Sequence, residues 1–179
     1  MLMRALIVID YTVDFVADEG KLTCGKPGQA IEGRIASLMD EFSSEDYVVI
    51  ANDIHEEGDT FHPETVLFPP HNIRGTHGRD LFGQVAEMAR VADHVIDKTR
   101  YSAFAGTDLD LRLRERSIQE VHLVGVCTDI CVLHTAVDAY NLGYKIVVHA
   151  DAVASFNAVG HDWALTHFKQ SIGADVVGE

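Results

Sequence analysis

EVHLVGVCTDICVLHTAVDAYNLGYKIVVH, residues 120–149, decides the fold class. Short apolar runs stand at its two ends, as in the strands of a parallel sheet. The segment between them has the length of a helix and stops at Gly143, the residue type that most often follows a helix C-terminus. The pattern predicts strands over 120–126 and 145–149 with a helix over 129–142. Since parallel strands need such a crossover, this is a βαβ unit.

The same alternation of apolar runs and helix-length segments extends along the chain. Further strands are predicted over 4–9, 47–52, 94–97 and 174–177, and further helices over 27–41, 79–91, 107–116 and 158–171. In 107–116 the letters LDLRLR alternate like a strand, but Leu109 and Leu113 also share a helical face, and a crossover is needed there. We therefore predict an α/β fold with three α/β/α layers, a doubly wound, mainly parallel sheet of about six strands, and a single domain over 1–179.

Charge and hydropathy exclude several classes of partner. The formal charge is −14, from 28 acidic and 14 basic side chains. Nucleic acids and anionic membranes require basic patches, so neither is expected as a partner. The apolar runs are too short to span a bilayer, and the N-terminal run ends at Asp10 without the small-residue site of a signal peptide. We expect a cytoplasmic protein that binds a small molecule.

Chemically active side chains follow several predicted strands where each strand ends. These residues are Asp10, Asp53, His55, Lys98, Cys127, Thr128, Asp129 and Cys131. Ligands of open parallel sheets bind in the crevice outside the carboxyl ends of the strands. We therefore expect an active site at this edge.

Cys131 is the candidate nucleophile. It falls in the first turn of the predicted helix 129–142, where unpaired N–H groups and the macrodipole favour a thiolate. Lys98 could supply a cation nearby, and Asp10 could accept the thiol proton and return it to a leaving amine. On position alone, a small buried hydrophobic residue is an equally good interpretation of Cys131.

The other two cysteines suggest no disulfide framework, because three is an odd number. Cys127 is expected to act through its backbone N–H rather than its sulfur, and Cys24 is expected to be inert. A thiol redox or sensor protein that uses Cys127 and Cys131 is an alternative. The C-x3-C spacing differs, however, from the C-x-x-C of thioredoxin-like proteins.

A long loop over 53–77 is rich in metal-ligand side chains. It holds Asp53, His55, His62, Glu64 and His71. Two imidazoles with one or two carboxylates suit zinc, iron or manganese. The spacing matches none of the common zinc motifs, so a polar surface loop is the alternative. A metal-binding module without catalysis is a further alternative, but it leaves the placement of Asp10, Lys98 and Cys131 unexplained.

Three aromatic residues could form the walls of a binding pocket. Phe15, Phe68 and Tyr101 each follow a predicted strand end or lie in the candidate loops. Aromatic walls with a few polar groups suit a small flat ring. Each of the three is about as well explained as an ordinary core aromatic residue.

At the level of motifs, the chain resembles the nicotinamidases (pyrazinamidases) of the isochorismatase-like cysteine hydrolase superfamily. The matching strings are VIDYTVDFV (8–16), NDIHEE (52–57), FHPE (61–64), FPPHNIRGTHG (68–78), DKTRYSAFAGTDLDLRLRER (97–116) and GVCTDICVLHTAVDAYNLGY (125–144). TDICV after Gly-Val is typical of the superfamily, and the His/Pro loop with FPPH is typical of the nicotinamidase branch.

The resemblance implies a catalytic triad in which Cys131 is the nucleophile, Asp10 the acid and base, and Lys98 the cation. It also implies a cis peptide bond before Cys127 and an oxyanion hole made by the backbone N–H groups of Cys127 and Cys131. At Cys127 this chain departs from the family pattern, which more often has a residue without a thiol.

The resemblance further implies one divalent metal ion held by Asp53, His55, His71 and a fourth side chain of the loop. That side chain is His or Glu within the family, and FHPE favours Glu64 over His62. Zinc is the expected ion, with iron or manganese as alternatives.

The activity implied by the resemblance is hydrolysis of nicotinamide to nicotinate and ammonia through a thioester on Cys131. Pyrazinamide is an expected further substrate, salvage of the pyridine nucleotide NAD the expected role, and a homo-oligomer the expected assembly. The nearest alternative is another amidase of the superfamily that acts on a different small amide. Isochorismatase itself fits less well, because its vinyl-ether chemistry needs no thiol.

Overall fold

Six parallel strands form a sheet in the computed structural model, which describes residues 3–179. The strands are β1 (Ala5–Ile9), β2 (Tyr47–Asp53), β3 (His94–Lys98), β4 (Glu120–Val126), β5 (Lys145–Ala154) and β6 (Asp175–Val177). They lie in the order β3-β2-β1-β4-β5-β6, and each neighbouring pair is parallel. The chain thus winds outward from β1 in both directions, which leaves a crevice between the carboxyl ends of β1 and β4.

Helices cover both faces of the sheet. They are α1 (Val13–Val16), α2 (Gly25–Ala30), α3 (Glu32–Phe42), α4 (Gly83–Met88), α5 (Leu109–Glu115), α6 (Leu133–Asn141) and α7 (Ala158–Ser171). Short 3-10 turns lie at Pro63–Val66, His77–Arg79 and Ala89–Val91, and a single π-helical turn spans Thr128–Val132. Helices α1, α3 and α4 pack on one face, and α5, α6 and α7 pack on the other. The predicted three-layer α/β/α fold is confirmed.

Strand β1 is central because both of its faces are apolar. Ala5, Ile7 and Ile9 pack under α5, α6 and α7, whereas Leu6 and Val8 pack under α3 and α4. All five residues are fully buried. Successive residues of a strand point to opposite faces of the sheet. This unbroken apolar run therefore packs against both helical layers.

Gly125 lets β4 approach β1 closely at the edge that carries the site. Its φ is 114°, and a Cβ atom there would lie 2.0 Å from the carbonyl oxygen of Ile9. Any other residue type would push the two strands apart at the switch point of the sheet.

Several predicted element boundaries differ from the structure. The predicted helix over 27–41 is two helices, α2 and α3, interrupted at Ile31, although the apolar periodicity runs on through the break. Strand β5 continues to Ala154 across an irregularity in its pairing with β4, which a short apolar run does not reveal. Helix α1 was not predicted, since four residues are too few to show a period.

The segment predicted as a helix over 107–116 is helical, as the crossover argument requires. Among residues 3–179, none of the helices is both long and apolar enough to cross a membrane.

Candidate active site

Three side chains from separate segments meet at the carboxyl edge of the sheet. Asp10 follows β1, Lys98 ends β3, and Cys131 lies in the π-helical turn after β4. Lys98 Nζ lies 2.8 Å from Asp10 Oδ2 and 3.6 Å from Cys131 Sγ. Asp10 and Lys98 are fully buried, and Cys131 is 4% exposed. The fold therefore brings together the three residues predicted as a triad, although they lie far apart in the sequence.

Strand register accounts for the position of Lys98. Asp53 and Lys98 are ladder partners at the ends of β2 and β3, and Lys98 Nζ lies 2.5 Å from Asp53 Oδ1. Asp10 is oriented by the backbone N–H of Asp53, which donates to Asp10 Oδ1 at 2.7 Å. Asp10 has a φ of 54°, in the left-handed region that Asp tolerates better than most residues. The carboxylate of Asp10 is thus turned toward the ammonium group.

Lys98 is a buried ammonium ion between two carboxylates. Burial lowers the pKa of Lys98, but the charges of Asp10 and Asp53 outweigh burial and hold it well above its ordinary value. Burial and the Asp53 carboxylate raise the pKa of Asp10 to about 6, against the opposing effect of Lys98. At neutral pH Asp10 is therefore mostly ionised but basic enough to accept a proton.

The protonation state of the Cys131 thiol differs from the one that its sequence position predicts. Burial and the Asp10 carboxylate raise the pKa of the Cys131 thiol well above its ordinary value, although Lys98 opposes the shift. The prediction of a resting thiolate is therefore wrong, because dry surroundings and an anionic neighbour outweigh the nearby ammonium and the helix start. The resting site pairs a protonated thiol with an ionised carboxylate.

Cys127 begins the turn that carries the thiol. The peptide bond that precedes it is cis, and its carbonyl accepts hydrogen bonds from the N–H groups of Ile130 and Val132 at 3.1 and 3.2 Å. Its sulfur lies 3.4 Å from the sulfur of Cys24, a contact that the sequence does not reveal. The oxyanion-hole role of the N–H groups of Cys127 and Cys131 stays a prediction.

A cluster of possible metal ligands lies beside the triad and is joined to it through Asp53. Asp53, His55, Glu64 and His71 each offer one ligand atom, and these atoms lie within 4.8 Å of one another. Lys98 Nζ donates a hydrogen bond to Asp53 Oδ1. Asp53 Oδ2 and the Nε2 atoms of both histidines are buried without a hydrogen-bond partner.

The spacing of these atoms suits a metal ion. His71 Nε2 lies 3.5 Å from Glu64 Oε2, and His55 Nε2 lies 3.9 Å from Asp53 Oδ2. Tetrahedral ligands about 2.1 Å from zinc are separated by about 3.4 Å, so small movements would complete the coordination. Unpartnered buried nitrogen and oxygen atoms are costly unless a cation satisfies them. The four residues therefore fit a divalent metal ion.

His62, the alternative ligand, has both ring nitrogens engaged. Its Nδ1 accepts the backbone N–H of Glu64 at 3.2 Å, so its Nε2 carries the proton and donates to the carbonyl of Thr99 at 2.6 Å. The His62 ring also packs against His55, with 4.5 Å between the ring centroids. The structure thus brings Glu64 rather than His62 into the cluster and places His62 behind it as a support.

A narrow cavity connects the thiol with the metal-ligand cluster. Its lining includes the predicted aromatic residues Phe15, Phe68 and Tyr101, together with Asp53, Glu64, Cys127 and Cys131. Leu22, Ile130 and Phe156 also line it, and sequence reasoning missed them because nothing in the sequence distinguishes them from other apolar residues. The free volume is about 10 Å³, room for roughly one water molecule. A ring-sized ligand therefore requires the walls to move.

A buried polar network that sequence reasoning also missed supports the loop near His71. Asp14 Oδ2 accepts the backbone N–H of Asn72 at 2.8 Å, and Thr12 Oγ1 donates to Asn72 Oδ1 at 2.9 Å. Gly78 packs so closely on the Asp14 carboxylate that a Cβ atom would lie 2.2 Å from it. The strings VIDYTVDFV and FPPHNIRGTHG contain these residues, but only the fold shows that they meet.

The sequence profile of the family described as "Isochorismatase domain" matches residues 4–178. The chain belongs to the isochorismatase family.

Relatives within the isochorismatase family align over nearly the whole chain. A Bacillus subtilis protein named "Uncharacterized isochorismatase family protein PncA" is 64% identical over 179 residues, which cover 97% of this chain and 98% of that protein. The crystal structure of the nicotinamidase/pyrazinamidase PncA from Bacillus subtilis superimposes with a TM-score of 0.94 at 59% identity, covering 98% of this chain and 100% of that one.

A less similar solved structure contains zinc. The crystal structure of the pyrazinamidase of Pyrococcus horikoshii in complex with zinc superimposes with a TM-score of 0.86 at 28% identity. The alignment covers 98% of this chain and 99% of that one.

Proposed function

We propose that this isochorismatase-family chain is a nicotinamidase, an amidohydrolase that converts nicotinamide and water into nicotinate and ammonia. The observation that carries the proposal is the buried contact of Cys131, Asp10 and Lys98 beside a cluster of four possible metal-ligand side chains, three of which have a buried ligand atom without a hydrogen-bond partner. The relatives named nicotinamidase or pyrazinamidase support the same reaction class.

In the first half-reaction, Cys131 Sγ attacks the carboxamide carbon while its proton passes to Asp10. The carbonyl oxygen becomes an oxyanion, which the backbone N–H groups of Cys127 and Cys131 hold. Lys98 keeps Asp10 anionic before the transfer and oriented after it. Asp10 then protonates the amide nitrogen, the C–N bond breaks, ammonia leaves, and a nicotinoyl thioester remains on Cys131.

In the second half-reaction, a water molecule attacks the thioester carbon while Asp10 accepts its proton. The tetrahedral adduct collapses, the C–S bond breaks, and Asp10 returns the proton to the sulfur. Nicotinic acid leaves and ionises to nicotinate, its proton going to solvent or to the released ammonia, and the site regains its protonated thiol and ionised carboxylate.

We propose that Asp53, His55, Glu64 and His71 hold the divalent metal, with zinc as the ion that fits the donor set. When bound, the metal would supply a Lewis-acid position for the pyridine nitrogen, directly or through a water ligand. The cavity that joins these residues to Cys131 would then hold the ring between its aromatic walls and set the carboxamide over the sulfur.

Ammonia release from paired substrates tests the proposal. Nicotinamide and pyrazinamide should be hydrolysed, whereas benzamide has the same carboxamide but no ring nitrogen. We expect kcat/KM for benzamide to be lower by at least about 100-fold, since a site built for a polar atom rejects analogues that lack it. Equal rates for benzamide and nicotinamide, or hydrolysis of open-chain amides alone, would instead favour another amidase of the superfamily.

Paired substitutions separate the metal ligand from its support. Glu64→Gln removes a carboxylate ligand, and His62→Gln keeps a hydrogen-bonding side chain behind it. We expect Glu64→Gln to weaken zinc binding by more than about 100-fold and His62→Gln by about tenfold. Competition with a chromogenic chelator measures both affinities without any assay of activity. A larger loss in His62→Gln than in Glu64→Gln would reverse the assignment.

A further inference from the structure

Cys24 and Cys127 form a buried pair of thiols that the proposed reaction does not use. Their sulfur atoms lie 3.4 Å apart, and the two residues are 4% and 3% exposed. Cys24 precedes α2, whereas Cys127 begins the turn that carries Cys131, so the pair joins two segments that are 103 residues apart in sequence. All three cysteines of the chain are free thiols in this structure.

We propose that Cys24 and Cys127 are a disulfide-forming site that switches the active site off when oxidised. A disulfide requires its sulfur atoms to lie about 2.05 Å apart, so the present pair has to approach by more than 1 Å. In the described part of the chain, Cys24 and Cys127 are the two cysteines whose sulfur atoms are in hydrogen-bond contact, and neither belongs to a cluster of possible metal ligands. Proximity therefore selects this pairing over a link to Cys131.

An oxidant can reach the pair through the active site. Cys127 lines the same cavity as Cys131, whereas Cys24 lies behind Cys127 in the core on the α3 side of the sheet. The wall movements that a ring-sized substrate requires would also admit a small oxidant. Cys127 is therefore the thiol that reacts first, and Cys24 is the thiol that resolves it.

The chemistry balances with a two-electron azo oxidant such as diamide. The sulfur of Cys127 adds to one nitrogen of the N=N bond, and its proton goes to the other nitrogen. The sulfur of Cys24 then attacks the Cys127 sulfur, the S–S bond forms, and the S–N bond breaks. The thiol proton of Cys24 goes to the departing nitrogen, so diamide is reduced to its hydrazine and the two thiols are oxidised to one disulfide.

The disulfide would act on catalysis through the backbone. The Cys127 carbonyl accepts hydrogen bonds from Ile130 and Val132, which flank Cys131, so a shift of Cys127 moves the turn that positions the nucleophile. Cys24 is tied by its own N–H to the carbonyl of Phe15 at 2.8 Å, and Phe15 is a wall of the cavity. This part of the inference rests on the proposed function, whereas formation of the disulfide does not.

Peptide mapping after oxidation tests the pairing. The full chain is treated with diamide, denatured, alkylated and digested without reductant. We expect a linked pair of peptides containing Cys24 and Cys127, together with an alkylated Cys131. A chain that keeps three alkylatable thiols, or that links Cys131 to either partner, overturns the proposal whatever the activity of the protein.

Cys24→Ser tests the consequence for the site, and Cys24→Ala serves if the buried hydroxyl impairs folding. Diamide should lower nicotinamide turnover of the unmodified chain by about 100- to 1000-fold, as for a displaced oxyanion-hole donor, and dithiothreitol should restore it. The Cys24 variant should start with the same activity and resist diamide. Inactivation of that variant at the rate of the unmodified chain overturns the switch. If nicotinamide is not a substrate, the peptide map still decides whether the disulfide forms.

Discussion

Replacing Cys131 with alanine should abolish nicotinamide hydrolysis and leave the protein almost as stable as before. The proposed thioester has no other nucleophile within the triad, so we expect kcat to fall by about 10⁴-fold or more, as in other covalent hydrolases. The side chain removed is one sulfur atom beside a small cavity, so the free energy of unfolding should change by less than about 1 kcal/mol. Ammonia release and urea unfolding measure the two effects.

The matched control is Cys24→Ala, which removes a thiol that is buried to the same degree but lies outside the triad. It should keep the activity of the unmodified chain. If Cys131→Ala retained turnover within tenfold of that control, Cys131 could not be the nucleophile, and a water-based mechanism at the metal-ligand cluster would have to replace the thioester scheme.

Replacing Lys98 with methionine should cost both activity and stability. The ammonium group lies between Asp10 and Asp53, and the change leaves two buried carboxylates facing each other without a cation. Removing one partner of a buried ion pair typically destabilises a protein by about 3–5 kcal/mol, far more than the loss of packing from this near-isosteric change. Urea unfolding should show the loss, and ammonia release should fall to background.

Two further variants show whether charge is the cause. Lys145→Met removes a mostly exposed lysine that pairs with Glu120, and it should unfold at nearly the same urea concentration as the unmodified chain. Adding Asp10→Asn to Lys98→Met removes one of the stranded carboxylates, so it should restore part of the stability without restoring activity. Equal stability of Lys98→Met and the unmodified chain would mean that the ion pairs contribute nothing.

The layer architecture could be predicted because hydrophobic periodicity and chain connectivity together limit the alternatives. The apolar run of β1 and the βαβ pattern of 120–149 require a parallel sheet with helices on both faces. The breaks in regular structure could not be predicted, because they leave the pattern intact. Ile31 between α2 and α3, and the π-helical turn before α6, both lie inside continuous helical periodicity.

Candidate site residues could be predicted from a single rule, that ligands bind beyond the carboxyl ends of strands. The rule selects Asp10, Asp53, Lys98 and Cys131, and the structure places them together. Protonation could not be predicted in the same way. The pKa of Cys131 depends on burial and on the nearby Asp10 carboxylate, and neither is visible before the chain is folded.

Contacts between residues that are remote in sequence were the least accessible to prediction. Cys24 lies in a loop where the sequence shows no partner for it, and the structure brings its sulfur into contact with that of Cys127. Leu22 and Phe156 could not be predicted as cavity residues for the same reason, because only the packing of loops over the sheet edge brings them there. Choosing Glu64 over His62 depended on the resemblance, and the hydrogen bonds of His62 give it a physical basis.

The most direct test is a rapid acid quench of the unmodified chain during turnover of nicotinamide, followed by mass analysis of the Cys131 peptide. We expect a nicotinoyl group on that peptide while substrate remains, and its disappearance once the substrate is consumed. A peptide that stays unmodified at every time during turnover, or a nicotinoyl group on a different side chain, would contradict this expectation.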